Sequence, residues 1–172
     1  MELNITTQIG AWSDNKPLFK FKIQSKNMKL RLATRVNAPL SKVWEGFDAT
    51  LFEALNPPFP KVRLLRFEGS QKGDWVEIEL NFILFKTVWL SEITEQESLG
   101  EEIYFVDEGR KLPFPLRRWK HKHGLVAEQK GGTWIVDEIE YHSFSTLLDA
   151  FLYLPFYLQF AYRKPIYRRF FK

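Results

Sequence analysis

Apolar residues recur at helical spacing through residues 144–172. One stripe has an apolar side chain at every third or fourth position, formed by Leu147, Phe151, Leu154, Leu158 and Tyr162. This spacing predicts a single long helix that buries the stripe, with kinks expected at Pro155 and Pro165. The other flanks of the segment are nearly as apolar, so a sheet, a partner or a membrane surface is expected to cover the helix.

Upstream of this helix, apolar and polar positions mostly alternate, which is typical of strands. A first strand is predicted over residues 30–36 and two short helices over residues 40–47 and 50–55. Strands are then predicted over residues 62–68, 74–85, 87–94, 101–108, 116–127 and 133–141. This order predicts an α+β domain in which a strongly bent antiparallel sheet wraps around the C-terminal helix. A gap between such a sheet and one helix is the expected place for an apolar ligand.

The chain has 172 residues, enough for one domain with a substantial core. We expect that domain over residues 28–172 and an appendage over residues 1–27, where Phe19, Phe21 and Ile23 form a short strand pattern. The first residues lack the features of a signal peptide, and no apolar run reaches the roughly 18 residues of a spanning helix. The absence of cysteine suits a reducing compartment. Together these features predict a soluble cytoplasmic protein.

Composition changes this interpretation in two respects. Aromatic residues make up 16% of the chain, which is more than a core of ordinary density needs. The surplus aromatic side chains should therefore lie on an exposed face or line an internal cavity. The 25 basic and 21 acidic residues are too balanced for a nucleic-acid-binding surface, and no nucleic-acid partner is expected. The basic surplus is local to the C-terminus, at Arg163, Lys164, Arg168, Arg169 and Lys172.

Alternation also predicts polar residues on the concave face of the sheet. Lys120 and Lys122 belong in water, so the opposite face of that strand should point inward; it carries Arg117, Trp119, His121 and His123. On other strands, Asp137 alternates with Ile135, Ile139 and Tyr141, and Asp107 with Ile103 and Phe105. A buried carboxylate requires a partner, and the candidates for Asp137 are Arg117, His121 and His123.

These inward polar groups have three interpretations. They form a hydrogen-bonded network that keeps the register of the sheet, or they are polar anchors for one end of a ligand whose body lies among aromatic side chains. Alternatively, His121 and Asp137 are a catalytic base and acid. Two histidines and an acid also match the composition of a Zn or Fe site, but their spacing is weak evidence, and neither a metal nor another cofactor is expected.

Three segments carry a family resemblance, LRLATRVNAPLSKVWEGF, FVDEGRKLPFPLRRWKHKHG and TWIVDEIEYHSF. With the terminal helix they resemble the START-like, or SRPBCC, helix-grip superfamily, and within it the small ligand-binding proteins related to the domain fused to epimerase-like "cell-division inhibitor" proteins. The residues matching that subgroup's motif are Phe105, Asp107, Pro113, Phe114, Trp119, His121, His123, Asp137 and Tyr141. The resemblance implies a deep cavity between sheet and C-terminal helix, used in the superfamily for lipids, sterols and polyketides. Some members are cyclases or dehydrases.

Three functional hypotheses follow. The first is non-enzymatic binding or carrying of a hydrophobic small molecule such as a lipid, an isoprenoid or a polyketide-like compound. Its expected contacts are Asp107, Arg117, Trp119, His121, His123, Asp137, Tyr141, Phe151, Leu154 and Leu158. The second is a cyclase or dehydrase that uses the His121 and Asp137 pair.

The third hypothesis is peripheral docking to a membrane or a protein, without stable insertion, through the aromatic and basic C-terminus. The competing interpretation is that Tyr162, Ile166, Tyr167, Phe170 and Phe171 close the sheet while the charges reach water.

Overall fold

The computed structural model describes residues 27–129 and 131–172, so the expected strand pattern at Phe19 to Ile23 lies outside it. The elements occur in the predicted order. They are β1 (Met28–Val36), α1 (Leu40–Glu45), α2 (Ala49–Ala54), β2 (Lys61–Phe67), β3 (Trp75–Asn81), β4 (Lys86–Leu99), β5 (Glu102–Lys111), β6 (Arg118–Ala127), β7 (Thr133–His142) and α3 (Thr146–Phe170). The strands form one seven-stranded antiparallel sheet in the order β1-β7-β6-β5-β4-β3-β2. The expected α+β, helix-grip arrangement is therefore confirmed.

Because neighbouring strands are antiparallel, the connections between them lie at two opposite ends of the sheet. At one end, here called the loop end, lie residues 82–85 and 112–117 together with the start of α3. At the other end, the helix end, lie α1, α2 and residues 68–74, 100–101, 128–129 and 131–132. The last turn of α3 reaches the helix end, because Ile166, Tyr167 and Phe171 share a core cluster with Val43 of α1 and Leu51 of α2. A second core cluster, near the loop end, includes Leu30, Trp119, Tyr141 and Phe160.

The predicted buried stripe of α3 is wrong, because this stripe faces outward. Leu147 is 82% exposed and Phe151 74%. Leu154, Leu158 and Tyr162 are exposed as well. The face turned to the sheet instead carries Asp149, Phe156, Phe160, Arg163 and Tyr167.

The rotation of α3 is fixed by polar contacts at its start. One carboxylate oxygen of Asp149 accepts a hydrogen bond from the Ser143 backbone N–H at 2.6 Å, and the other lies 2.8 Å from Nδ1 of His142. The Tyr141 hydroxyl donates to the Asp149 carbonyl oxygen at 2.7 Å. A helix that is apolar on every side has no single preferred face to bury, so these specific contacts decide which face meets the sheet.

The segment Phe82 to Phe85 is a second difference from the expected pattern. Its apolar side chains predict a continuation of the preceding strand, but β3 ends at Asn81 and these four residues form the turn into β4. The β4 strand in turn runs five residues beyond the predicted end, to Leu99.

At the C-terminus, Ile166, Tyr167 and Phe171 are buried, whereas Phe170 is 39% exposed. The burial of Ile166, Tyr167 and Phe171 agrees with the interpretation in which apolar side chains of the C-terminus close the sheet. Phe47 stacks on both Tyr167 and Phe171, at 6.2 Å between ring centroids in each case. A Cβ atom at Gly46 would lie only 2.5 Å from Cε1 of Phe171, so a larger residue there would displace the ring. Within the described residues, no helix combines the length and apolarity needed to cross a membrane.

We expect the substitution Phe171→Ala to lower the free energy of unfolding by roughly 3–5 kcal/mol, because it opens a cavity in the helix-end core. The adjacent variant Phe170→Ala is the matched control and should cost less than about 1 kcal/mol. Urea unfolding followed by tryptophan fluorescence measures both. Similar losses in the two variants would contradict the buried position of Phe171.

Candidate functional site

Four polar residues predicted to face inward meet on the concave side of β5, β6 and β7. In the strand register, Asp107 lies opposite His121, and His123 lies opposite Asp137. Nε2 of His121 is 2.9 Å from Oδ1 of Asp137, and its Nδ1 is 3.3 Å from Oδ2 of Asp107. Nε2 of His123 is 3.1 Å from the same Asp107 oxygen. The sheet therefore assembles one connected cluster of two carboxylates and two imidazoles.

The His121 ring lies between two carboxylates, and this position fixes its charge. Burial alone would lower its pKa, but the hydrogen bonds and charges of Asp107 and Asp137 outweigh burial and raise the pKa above its ordinary value. Burial likewise opposes ionisation of both acids, yet their contacts with the histidines hold the pKa of each carboxyl below its ordinary value. Below this raised pKa, His121 is an imidazolium whose two ring nitrogens each face a carboxylate oxygen.

His123 is the neutral member of the cluster. Burial, followed by the charge of His121, lowers its pKa to about 4. Because Asp107 is ionised, the Nε2 atom of His123 carries the proton and donates to it. Its Nδ1 is left as a buried acceptor without a hydrogen bond among the described residues, since the nearest carboxylate oxygen of Asp137 is 3.8 Å away.

The helix α3 adds two groups that the sequence did not assign to the site. Arg163 lies over the Phe160 ring, 4.3 Å from its centroid, and its charge contributes to the lowered pKa of Asp137. The fully buried Tyr167 hydroxyl has its pKa raised, first by burial and then by the charge of Asp137. In the sequence Arg163 is one of the basic residues of the tail; its position three residues after Phe160, on the face of α3 that meets the sheet, is the signal that could have identified it. Among the described residues Arg163 forms no ion pair with either carboxylate and its Nε has no hydrogen-bond partner, so it acts on Asp137 only through its positive charge.

Aromatic rings enclose the cluster. Phe105 stacks on His123 at 4.2 Å between centroids, and Phe160 meets the edge of His121 at 5.0 Å. The indole N–H of Trp119 donates to Asp107 at 3.2 Å. As a result, the cluster is not uniformly accessible: the side chains of His121 and Asp137 are 4% and 3% exposed, whereas those of His123 and Asp107 are 14% and 15% exposed. A ligand reaching the cluster would meet Asp107 and His123 first.

The remaining predicted contacts lie outside this cluster. Arg117 precedes β6 and is exposed, with its guanidinium 4.1 Å from the centroid of the Phe144 ring, so it is not the partner of Asp137. Tyr141 is fully buried, and its hydroxyl is engaged by the Asp149 carbonyl. The α3 side chains Phe151, Leu154 and Leu158 point away from the sheet, on the exposed stripe.

The ligand atoms of Asp107, His121 and His123 lie within 4.8 Å of one another, which makes these residues the candidate metal ligands of the described chain. A metal ion requires a free nitrogen lone pair on each histidine. His121 would have to release a proton against its raised pKa and exchange a carboxylate contact for the metal. The cluster is thus arranged as a charge-balanced hydrogen-bond network.

Next to the cluster, half of the concave face carries apolar side chains that are only partly buried. The helix α3 packs mainly against β1 and β7. The uncovered half is formed by β2, β3 and β4, whose cross-strand pairs place apolar side chains on the same face as Trp89. Trp89 contacts Trp119 edge to face at 4.8 Å between ring centroids. The partly buried residues of this open half are Val62, Leu64, Phe67, Val76, Ile78 and Trp89.

Comparison with known proteins supports the fold. No family model matches the chain. Among solved structures, protein Ms6760 from Mycobacterium smegmatis superposes with a TM-score of 0.61 at 15% identity, covering 84% of this chain and 90% of that one. Ginseng major latex-like protein 151 from Panax ginseng gives 0.55 at 14% identity, covering 82% and 97%. Zhui aromatase/cyclase from a Streptomyces species gives 0.50 at 18% identity, covering 70% of each chain.

At these identities the likeness shows a shared fold and says nothing of activity. A sequence match to Serpin A11 from Rattus norvegicus is 29% identical over 75 residues, which is 44% of this chain and 18% of the serpin. The chain thus spans less than a fifth of the length of that protein.

We expect stability to depend on pH through His121. Because its pKa is raised in the folded state, its contribution is complete below its ordinary pKa of about 6.5 and is lost as the pH rises through the raised value. His121→Gln should lower the free energy of unfolding by roughly 3–5 kcal/mol at pH 6, because it leaves two carboxylates without their partner. It should also flatten the decline in stability on the alkaline side. Urea unfolding across a pH series measures both effects.

The variant His123→Gln serves as the contrasting control. Folding lowers the pKa of His123 to about 4, so this residue costs stability as the pH falls from its ordinary pKa towards 4. Its replacement should flatten the acid side of the profile and keep the alkaline slope. Parallel profiles for the wild type and His121→Gln would refute the assignment of the imidazolium.

Proposed function

We propose that this chain, which has the helix-grip fold of the SRPBCC proteins, is a binding or carrier protein for a hydrophobic small molecule. The observation that carries the proposal is the continuity between the open apolar half of the concave face and the accessible edge of the buried cluster. Trp89 and Trp119 connect the two regions through their edge-to-face contact at 4.8 Å. Such an apolar surface with a few convergent polar groups is the usual composition of a small-molecule site.

The apolar part of the site supplies most of the binding free energy. Phe67 and Val76 form one cross-strand pair, and Ile78 pairs with Leu64 on β2 and with Trp89 on β4. Full burial of one such side chain is worth roughly 1.5–3 kcal/mol. Shielding several of them from water brings a ligand with an extended hydrocarbon body to micromolar affinity.

The polar end selects a neutral group rather than an ion. Asp107 and Asp137 are paired with His121 and have the positive charge of Arg163 nearby, so a charged ligand headgroup would add a charge without a partner to a buried site. The accessible edge offers the Asp107 carboxylate as an acceptor, and Nδ1 of His123 is a second acceptor without a hydrogen bond among the described residues. Both accept hydrogen bonds, so a hydroxyl group on the ligand is the matching chemistry.

The protonation states favour binding over catalysis. A general base or acid works best with a pKa near the working pH. His121 holds its proton between two carboxylates, and His123, with a pKa of about 4, is a weak base. Both acids have lowered pKa values and are unsuited to donate protons at neutral pH. His121 and Asp137, the two residues that suggest catalysis in the sequence, are paired with each other in the fold.

Native mass spectrometry of the protein purified from its natural source or from cells tests the proposal. We expect a bound apolar molecule that organic solvent extracts. The variant Ile78→Asn places an amide on the open half of the concave face and should lower occupancy by roughly tenfold or more. Val88→Asn is the matched control, because Val88 pairs with Glu79 on the opposite face of the same strands; its occupancy should be unchanged.

Two results would overturn this function. One is the absence of any bound molecule together with no detectable binding of fatty acids, isoprenoids or sterols by titration. The other is equal loss of ligand in Ile78→Asn and Val88→Asn at equal stability, since binding would then not depend on the concave face.

A further inference from the structure

The turn between β3 and β4 exposes large apolar side chains at the loop end of the molecule. Ile83 is 84% exposed, Leu84 93% and Phe85 58%. Phe59, which precedes β2 at the same end, is 55% exposed and contacts the Phe82 ring edge to face at 5.9 Å. We call these five residues the apolar tip. Consecutive exposed side chains of this size are unusual on a surface that faces only water.

The apolar tip is held in shape by its own contacts. The Phe82 backbone N–H donates to the Phe85 carbonyl at 2.9 Å, and the Ile83 N–H donates to the Asn81 side chain at 2.9 Å. The Phe82 and Phe85 rings stack at 4.9 Å between centroids. Ile83 has a φ of 73°, a left-handed conformation that is strained for a β-branched residue. The turn therefore keeps Ile83 and Leu84 exposed to solvent although the backbone conformation of Ile83 is unfavourable.

A basic groove lies beside the tip, on the convex face of the sheet. It has a volume of about 450 Å³ and is lined by the convex-face residues Lys61, Arg63, Glu79, Asn81 and Lys86, together with Val62, which lies between Lys61 and Arg63 on the edge strand β2. Glu79 is shared by Lys86 at 3.1 Å and Arg63 at 3.4 Å. One carboxylate thus faces three cations, and Lys61 forms no ion pair with any described residue. The groove has a net positive charge that an anion would neutralise.

We propose that the loop end docks to a membrane surface containing anionic phospholipids, with the apolar tip entering the interface and a lipid phosphate lying in the basic groove. Apolar side chains next to cations are the composition of peripheral membrane sites. Charge complementarity favours this occupant over a second copy of the chain, because a symmetric contact would bring two positive grooves together. The proposal does not depend on the ligand of the concave face.

Other residues at the loop end extend this surface. Phe114 is 82% exposed, and Phe144 is 49% exposed with the Arg117 guanidinium stacked on its ring. Leu147 begins the outward stripe of α3 at the same end. The aromatic and basic C-terminus lies at the helix end, so docking by the tip and docking by the tail present opposite ends of the molecule to a membrane.

Single labelled cysteines distinguish these orientations, since the chain has no cysteine of its own. An environment-sensitive fluorophore is attached to Leu84→Cys at the tip, Leu99→Cys at the β4–β5 turn and Phe170→Cys in the tail. Vesicles of phosphatidylcholine with phosphatidylserine should shift the emission of the Leu84→Cys label to the blue and leave the other two unchanged. A shift only at position 170 would overturn the proposal in favour of the tail.

Sedimentation with the same vesicles measures the contribution of each part. Leu84→Asp should weaken binding by roughly tenfold or more, because burial of one leucine side chain is worth at least that factor. Its control, Leu99→Asp, changes an exposed leucine at the other end of β4 and should bind as the wild type does. Lys61→Glu should weaken binding severalfold, whereas Lys72→Glu, which makes the same charge change at the helix end, should not.

Three outcomes would refute membrane docking by the loop end. The first is an absence of wild-type binding to phosphatidylserine vesicles, and the second is equal binding by Leu84→Asp and Leu99→Asp. The third is a wild-type dimer in lipid-free solution that Leu84→Asp converts to monomers, which would assign the apolar tip to a second copy of the chain. Unchanged urea unfolding of Leu84→Asp confirms that any loss of binding is local.

Discussion

The structure depends on the neutralisation of two carboxylates that lie on the concave face of the sheet. Asp107 and Asp137 share this face with core side chains, where an unpaired charge would cost several kcal/mol. An imidazolium between them supplies the paired charge, and the Arg163 guanidinium on α3 adds a second positive charge near Asp137. The neutral His123, stacked on Phe105, completes the network. Sheet register and helix position are thus coupled, because each contributes part of the same charge balance.

This coupling explains the orientation of α3. Either flank of the helix could have met the sheet on hydrophobicity alone, since both are apolar. Asp149 near the start of the helix has its hydrogen-bond partners only when this face turns inward, and the same orientation places the positive charge of Arg163 near Asp137. Specific polar contacts therefore select among several packings of similar hydrophobic energy. The stripe that remains outside is a consequence of that selection.

The sequence predicted the order of the elements and the concave position of Asp107, His121, His123 and Asp137, because strand periodicity assigns each side chain to a face without any knowledge of the distant parts of the chain. It failed where a residue's environment depends on tertiary contacts. Arg163 appeared as one of several tail charges, although its charge helps to lower the pKa of Asp137 across the core. Phe82 to Phe85 had the composition of a strand, but the hydrogen bond from Ile83 to Asn81 closes a turn there. The helical spacing of Leu154 and Leu158 is the same whether their stripe faces inward or outward, so spacing alone could not show that it is exposed.

The hairpin formed by β6 and β7 has a consequence for the order of folding. His121 and His123 meet Asp137 across this local hairpin of consecutive strands, whereas β1 and α3 join it from distant parts of the chain. Local contacts form before non-local ones because they close shorter loops. We therefore expect the imidazolium and the carboxylate to pair while they are still hydrated, before α3 covers them. A charge that is already paired when it becomes buried avoids an intermediate with a single unpaired ion in the apolar core. Early formation of the hairpin would therefore lower the free energy of the intermediates through which the sheet folds.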